Sequence, residues 1–192
     1  MNRRIILASS SPRRKELLTG LGLNFVIDPS QENEDVPSGT PPAEMVERLA
    51  LRKAKSVASK YTEGVVIGSD TIVVHQGTIL GKPIDKENAF DMLMALQGSS
   101  HDVFTGLALV DAHSRREQAS YSMTRVTFYP LTEAEIRNYI ETGEPSDKAG
   151  SYGIQGIGAS LVKEIHGDYF TVVGLPIGLL RMMLTEFDIR II

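Results

Sequence analysis

Short apolar runs rich in β-branched residues alternate along this chain with segments whose apolar residues recur every three or four positions. The runs at residues 5–8, 65–67 and 72–74 are typical of buried strands. Residues 12–21, which follow a serine, and residues 40–58 carry their apolar side chains at helical spacing. Strands and helices in alternation predict an α/β fold with a mixed sheet.

The rest of the chain continues this alternation without an internal repeat or a linker-like change of composition. We therefore expect a single domain over residues 1–192, either undivided or built of two lobes that flank a cleft. The further predicted elements are a hairpin turn at Gln76-Gly77, a helix capped by Asp85, strands over 103–110 and 120–129, a helix from a capping box at Thr132 to about Gly143, a hairpin of 160–165 and 169–173 about Gly167-Asp168, and a closing helix over 176–187.

Composition limits the classes of protein that remain. The chain carries 20 Lys and Arg against 24 Asp and Glu, a net charge of −4, which argues against a broadly basic nucleic-acid-binding or membrane-binding protein. It has no cysteine, so thiol nucleophiles, disulfides and Cys-based zinc sites are excluded. No apolar run reaches the roughly 18 residues that span a bilayer, and the early run is too short for a secretory signal. We expect a soluble, cytoplasmic protein with no membrane or stable nucleic-acid partner, and a homodimer is one candidate assembly.

Asp70 stands in the middle of the apolar stretch 65–74. An unpaired carboxylate buried in such a stretch is strongly destabilising, so its presence needs an explanation. Two explanations are open from the residues alone. Asp70 serves chemistry or metal binding, or it lies in a turn with Gly68 and Ser69, where its side chain hydrogen-bonds its own backbone.

Several basic residues lie where a phosphate could bind. Residues 9–11 are serines at a predicted strand end, followed by a helix start with Arg13 and Arg14, and free N–H groups and hydroxyls there suit phosphate. The alternative is a solvated helix start. Lys53 lies on the apolar stripe of its helix, where it either extends to solvent or reaches the same cleft. Lys82 follows a predicted strand in a Gly-Lys-Pro loop, where a cation can hold a phosphate.

Residues 152–158 are rich in glycine but match neither a P-loop nor a dinucleotide-binding fingerprint. The glycines would let the backbone approach a flat base, whose edge the Gln155 amide could read; a purely structural loop is the alternative. The four histidines lack metal-ligand spacing, so any metal would be a hard ion held by carboxylates. The acidic segment 32–35 either supplies a second such carboxylate or is a solvated loop.

Seven short segments, taken in order, are typical of one protein family. They are Ala8–Arg14, Arg48–Ala50 with Lys53–Ala54, Gly68–Thr71, Gly81–Pro83, Asp147–Gly150, Tyr152–Gly156 and Val173–Pro176. Together they resemble the Maf (septum formation protein) family of nucleoside triphosphate pyrophosphatases. The resemblance extends from residue 5 to about residue 180, nearly the whole chain.

The resemblance implies an elongated mixed-sheet α/β fold around a central cleft, similar to that of the inosine-triphosphate pyrophosphatases (Ham1-like). It also implies hydrolysis of a nucleoside triphosphate to the monophosphate and pyrophosphate, assisted by Mg²⁺ or Mn²⁺. On that basis Asp70 is the general base that activates water and also a metal ligand, and Glu34 is a second metal ligand. Substrate binding is assigned by the same resemblance to Ser9, Arg13, Arg14, Lys53, Thr71, Lys82 and Gln155.

Three of these residues match one branch of the family at its base-discriminating positions: Arg13, Thr71 and Gln155. The other branch carries an aromatic residue, a glutamine and a glutamate there, and it acts on methylated GTP or CTP. We therefore expect a dTTP/UTP pyrophosphatase, with modified pyrimidine nucleotides as further candidate substrates and a secondary role in cell-division arrest. Two alternatives remain open: a nucleotidyltransferase, and a non-catalytic regulator of septum formation.

Overall fold

The computed structural model describes residues 3–33 and 35–192. The strands in that part of the chain are β1 (Ile5–Leu7), β2 (Phe25–Ile27), β3 (Val65–His75), β4 (Thr78–Leu80), β5 (Ser100–Asp111), β6 (Glu117–Phe128) and β7 (Val162–His166). They form one mixed sheet in the order β2-β1-β3-β5-β6-β7, with β4 paired to β3. β1 is parallel to both β2 and β3, whereas β4 is antiparallel to β3 and β7 is antiparallel to β6.

The helices are α1 (Pro12–Gly20), α2 (Pro42–Ala58), α3 (Lys86–Leu96), α4 (Glu133–Glu141), α5 (Tyr169–Val173) and α6 (Ile177–Glu186), with short 3₁₀ turns at Glu144–Asp147, Ala149–Ser151 and Gly156–Leu161. Local sequence signals set several of the starts. Ser11 caps α1 ahead of a proline, Asp85 caps α3, and Thr132 and Glu135 form the capping box predicted for α4. None of the helices described here has both the length and the apolar character needed to cross a lipid bilayer.

β3 is longer than the pattern predicted. It runs unbroken from Val65 to His75, so the turn considered for residues 68–71 does not form. The reason is that the polar residues inside it find partners outside their own backbone, as described below for Ser69 and Asp70. Strand β5 likewise extends beyond its predicted bounds, to Ser100–Asp111, whereas β6, Glu117–Phe128, begins three residues before its predicted start and ends one residue before its predicted end.

The predicted hairpin near the C-terminal end is wrong in its second half. Residues 169–173 are rich in β-branched and aromatic side chains, yet they form helix α5. The carboxylate of Asp168 accepts hydrogen bonds from the backbone N–H groups of Phe170 and Thr171, at 3.3 and 2.9 Å. A side chain that satisfies these first N–H groups favours a helix start over a strand.

The chain divides into two compact units. The first unit contains the described residues up to Asp70, together with Thr105–Ser122 and Gly174–Ile192; the second contains Thr71–Phe104 and Met123–Val173. Each unit has its own apolar core. The core of the second unit is built around Val73, Leu93, Val103, Phe128, Ile136 and Tyr139, among others.

The first unit buries both faces of its strands, as expected of strands covered by helices on each side. Alternate residues face opposite ways, so two sets can be distinguished. Ile5, Leu7, Val65, Ile67, Leu107 and Leu109 share a core with Leu18 of α1 and Leu180 of α6. Ile6, Ala8, Val66, Ala108 and Val110 share the other core with Ala50, Ala54 and Val57 of α2.

Candidate active site

Successive side chains of β3 point to opposite faces of the sheet, which determines the directions of Ser69 and Asp70. Asp70 has the same parity as Val66 and Gly68, so its side chain lies on the α2 face, and Ser69 lies on the opposite face. The Nζ of Lys53, from α2, donates a hydrogen bond to Oδ1 of Asp70 at 2.6 Å. The two side chains are 13% and 10% exposed. The ammonium therefore compensates a carboxylate that the apolar strand would otherwise leave uncompensated, and Lys53 does not extend to solvent.

Two glycines bring α2 close enough for this ion pair. A Cβ on Gly68 would lie 2.2 Å from the carbonyl oxygen of Ala50, and a Cβ on Gly106 would lie 2.0 Å from the carbonyl oxygen of Val46. Both distances are well inside van der Waals contact, so the backbone of α2 rests directly on β3 and β5. Lys53 is one turn of α2 further along from Ala50, which places its side chain beside Asp70.

Ser69 ties the other face of β3 to the chain segment that precedes α6. Its hydroxyl is fully buried and lies 2.9 Å from the carbonyl oxygen of Gly106 and 3.0 Å from that of Gly174. The Nε of Arg14 also donates to the Gly174 carbonyl, at 2.8 Å. One carbonyl therefore connects the start of α1 to the residue next to Asp70.

Hydrogen bonds to two serine side chains hold the start of α1. Ser11 is the N-cap residue, and its side chain accepts the backbone N–H of Arg14 at 3.5 Å, while Pro12, which has no N–H, occupies the first helical position. Nη1 of Arg14 donates to Oγ of Ser9 at 3.1 Å, and the same oxygen accepts from the N–H of Ser11 at 3.2 Å. Ser9 and Arg14 thus brace the loop, and Arg13, half-buried in the same turn, follows the cap.

The carboxylate chemistry suits a hard divalent cation. Asp70 offers oxygen ligands, and Mg²⁺ is commonly held by one or two carboxylates while substrate phosphates and water complete its shell. Within residues 3–33 and 35–192, no group of three or more His, Asp or Glu side chains is close enough together to hold a metal ion. The predicted second ligand, Glu34, lies outside the described residues.

The other predicted site residues belong to the second unit. Thr71 follows Asp70 in β3 and is half-buried, whereas Lys82 is exposed in the loop after β4. The N–H of Gly150 donates to the carbonyl of Gly81 at 3.0 Å, which fixes the backbone next to Lys82. Gln155 is partly exposed and immediately precedes the 3₁₀ turn Gly156–Leu161.

The structure therefore brings together Lys53 with Asp70, and Ser9 with Arg14, inside the first unit. Sequence reasoning missed the bridging role of Ser69, because a serine beside Gly68 was compatible with a turn. It also missed Gly106, for which a signal existed: a glycine inside an otherwise apolar strand pattern marks a close backbone approach.

Comparison with known proteins identifies the family. A family model described as Maf-like protein matches residues 4–187. A protein of Pelotomaculum thermopropionicum named dTTP/UTP pyrophosphatase is 50% identical over 188 residues, which cover 98% of this chain and 98% of the relative. A protein of the same name from Desulforamulus reducens is 48% identical over 190 residues, covering 99% of this chain and 100% of the relative.

A solved structure supports the expected fold class. The Ham1 protein of Staphylococcus aureus matches with a TM-score of 0.55 at 15% sequence identity, over 96% of this chain and 99% of that protein. At that identity the likeness concerns the fold alone, and it confirms the predicted mixed-sheet, Ham1-like α/β class. With the family model matching nearly the whole length, the chain belongs to the Maf-like protein family.

Proposed function

We propose that this chain hydrolyses dTTP and UTP to the corresponding monophosphate and pyrophosphate, with Asp70 as the base that activates water. The main support for the proposal is the buried Asp70 carboxylate, which accepts a hydrogen bond from Lys53 at 2.6 Å. The neighbouring residue, Ser69, is linked to Arg14 at the start of α1 because both donate to the carbonyl of Gly174. The substrates are those in the name of relatives about 50% identical over nearly the full chain, dTTP/UTP pyrophosphatase.

Asp70 performs the proton transfer in this proposal. A water oxygen attacks the α-phosphorus while its proton passes to the carboxylate, and the bond from that phosphorus to the pyrophosphate oxygen breaks. The pyrophosphate leaves with the electron pair. Lys53 fixes the orientation of the carboxylate through its hydrogen bond, and both side chains are held in an environment from which bulk water is largely excluded.

We assign phosphate binding to Ser9 and to the cations Arg13, Arg14 and Lys82. Positive charge offsets the charge that develops on the leaving pyrophosphate, and preorganised donors do so without reorganising during the reaction. A bound Mg²⁺ or Mn²⁺ would add Lewis-acid stabilisation of the same charge. Asp70 would be one ligand of this ion, and Glu34 would be a second ligand.

Base selection is assigned to Arg13, Thr71 and Gln155. The edge of thymine or uracil presents an acceptor, a donor and an acceptor, and the amide of Gln155 can both donate and accept hydrogen bonds. Gln155 is partly exposed, so its amide is accessible to a ligand.

A nucleotide panel tests this function. The purified chain is given dTTP, UTP, CTP, dATP and GTP with Mg²⁺ or Mn²⁺ and no acceptor, and pyrophosphate and orthophosphate are measured separately. We expect pyrophosphate and the monophosphate from dTTP and UTP in preference to the other three. Release of orthophosphate, or turnover that requires a sugar-phosphate acceptor, would contradict the proposal, and the second result would indicate a nucleotidyltransferase.

A further inference from the structure

The glycine-rich loop 153–158, which contains Gln155, is held in place by hydrogen bonds to the side chain of Glu144. Glu144 lies in the 3₁₀ turn after α4, and its Oε2 accepts the backbone N–H of Ile157 at 3.0 Å. Its Oε1 accepts the backbone N–H of Gly158 at 2.9 Å. Ile157 and Gly158 are the second and third residues of the 3₁₀ turn that follows Gln155, so the carboxylate satisfies N–H groups that the turn itself leaves unpaired.

A tyrosine connects the same carboxylate to the other end of the loop. The hydroxyl of Tyr139 donates to Oε1 of Glu144 at 2.9 Å, and it accepts the N–H of Gly153 at 3.2 Å. Gln155 therefore lies between two fastened backbone segments, Gly153 on one side and Ile157–Gly158 on the other.

The glycines of the loop are explained by this arrangement. A Cβ on Gly156, whose φ is +68°, would lie 2.8 Å from Oε2 of Glu144. A Cβ on Gly158 would lie 2.2 Å from the carbonyl oxygen of Gly153 and 2.5 Å from the hydroxyl of Tyr139. Close packing against Glu144 and Tyr139 thus accounts for these glycines independently of any bound base.

The ionised form of Glu144 is the one that the loop requires. Burial opposes its ionisation, but the hydrogen bonds donated by Gly158, Tyr139 and Ile157, together with the charge of Lys148, lower the pKa of Glu144 below its usual value. The Nζ of Lys148 donates to the backbone carbonyl of Glu144 and to Asp147. The Glu144 carboxylate accepts from Tyr139, Ile157 and Gly158, whereas an amide would turn its NH₂ group towards at least one backbone N–H.

We propose that Glu144 is a positioning residue for base selection: it fixes the Gly153–Gly158 backbone so that the Gln155 amide meets the edge of the pyrimidine. The inference rests on the proposed function and adds to it the residue that holds the specificity loop in place. Glu144 acts through Gln155 and takes no part in bond breaking.

The test uses Glu144→Gln, which preserves size but replaces one acceptor by a donor. The matched control is Glu141→Gln in the preceding helix, where the carboxylate forms an exposed ion pair with Lys86 at 2.7 Å. The measured quantity is the ratio of kcat/KM for UTP to that for CTP. We expect Glu144→Gln to lower this ratio about tenfold, because small displacements of a recognition group are costly, while the control leaves it unchanged.

Two further measurements separate positioning from loss of folding. Amide hydrogen exchange should accelerate at Ile157 and Gly158 in Glu144→Gln but not in Glu141→Gln. Tyr139→Phe, which retains the Glu144 bonds to those amides but removes the acceptor for Gly153, should lower the same ratio to a smaller extent. It provides the selectivity readout if Glu144→Gln does not fold.

The outcomes distinguish the two proposals. If the unmodified chain releases pyrophosphate from UTP but Glu144→Gln and Tyr139→Phe retain the UTP-to-CTP ratio, the positioning role is overturned and the proposed function stands. If the variants lower kcat for both nucleotides equally, the role is likewise overturned. If the unmodified chain releases no pyrophosphate from UTP or dTTP, the proposed function fails, and the inference that rests on it fails with it.

Discussion

Two buried carboxylates of the first unit have cationic partners, but their surroundings differ. Asp111 forms an ion pair with Arg3 and also accepts the backbone N–H groups of His113 and Ser114, at 2.9 and 3.0 Å. Burial opposes its ionisation, yet the hydrogen bonds from Arg3, Ser114 and His113 lower the pKa of Asp111 to about 2. Asp111 therefore stabilises the turn after β5, whereas Asp70 lies within a strand, where no turn requires it.

A buried histidine makes the stability of the second unit depend on pH. His101 is 2% exposed, and its Nε2 lies 2.8 Å from the hydroxyl of Tyr152. Its ring meets those of Phe128 and Tyr152 edge-on, at centroid distances of 5.0 and 5.3 Å. Burial, reinforced by the neighbouring His75, lowers the pKa of His101 from 6.5 to about 4, and Asp102 opposes this only in part.

The expected consequence is a loss of stability in mild acid. Below pH 6.5 the unfolded chain binds a proton that the folded chain does not bind until about pH 4, so the free energy of unfolding falls across that window. The contribution between pH 7 and pH 5 is roughly 2 kcal/mol. Urea denaturation at both pH values measures it. His101→Gln should reduce the difference, whereas the exposed His166→Gln should retain it, and equal pH dependence in all three proteins would contradict the assignment.

Individual site residues could be predicted from the sequence where a charged residue interrupted an apolar pattern. Asp70 was visible because a carboxylate is costly inside a strand, and Lys53 because it lay on the buried stripe of its helix. Ser69 and Glu144 were not visible. Their partners are backbone groups far along the chain, such as the Gly174 carbonyl, and no local pattern encodes those contacts.

Among the elements, α2 determines the geometry of the candidate site. Its apolar stripe of Ala50, Ala54 and Val57 covers one face of the sheet, and the small residues allow a close approach. Gly68 and Gly106 complete that approach from the side of the strands. The separation of Lys53 from Asp70 therefore depends on backbone packing several residues away.

Gly106→Ala should expose this dependence. A methyl group 2.0 Å from the Val46 carbonyl cannot be accommodated without moving α2 or β5, so we expect a loss of about 3 kcal/mol in the free energy of unfolding. Gly178→Ala in α6 is the matched control, because its Cβ would meet no atom within 4 Å and alanine favours a helix by up to about 1 kcal/mol. Chemical denaturation compares the two, and a Gly106→Ala protein as stable as the parent would refute the close packing.

Element boundaries were predictable where a cap or a strong period marks them. The starts of α1, α3 and α4 follow from Ser11, Asp85 and Thr132, whose side chains accept the expected backbone N–H groups. Helix α5 was not predicted, because β-branched residues favour a strand and the capping by Asp168 outweighed that preference. Propensity over five residues is too weak to resist such a contact.

On the scale of the whole molecule, the pattern of alternation determined the class of fold. The strands β1, β3 and β5 are apolar on both faces, which requires helices on both sides. That requirement is met by proteins of very different sequence, as the 15% identity to the Ham1 protein shows. The activity does not follow from the fold; it depends on the few polar residues set into it.

The central claim is that catalysis requires the Asp70 carboxylate but not the Asp111 carboxylate, and parallel measurements on Asp70→Asn and Asp111→Asn test it. Pyrophosphate release from dTTP and the midpoint of thermal unfolding are recorded for both, with activity assayed below each midpoint. We predict that Asp70→Asn melts at a lower temperature, because Lys53 loses its partner, but is folded at the assay temperature and there loses kcat by about 100-fold or more, as expected for a general base. Asp111→Asn should melt at a lower temperature, because Arg3 loses its partner, and should retain kcat. Full turnover in a folded Asp70→Asn protein would contradict the claim.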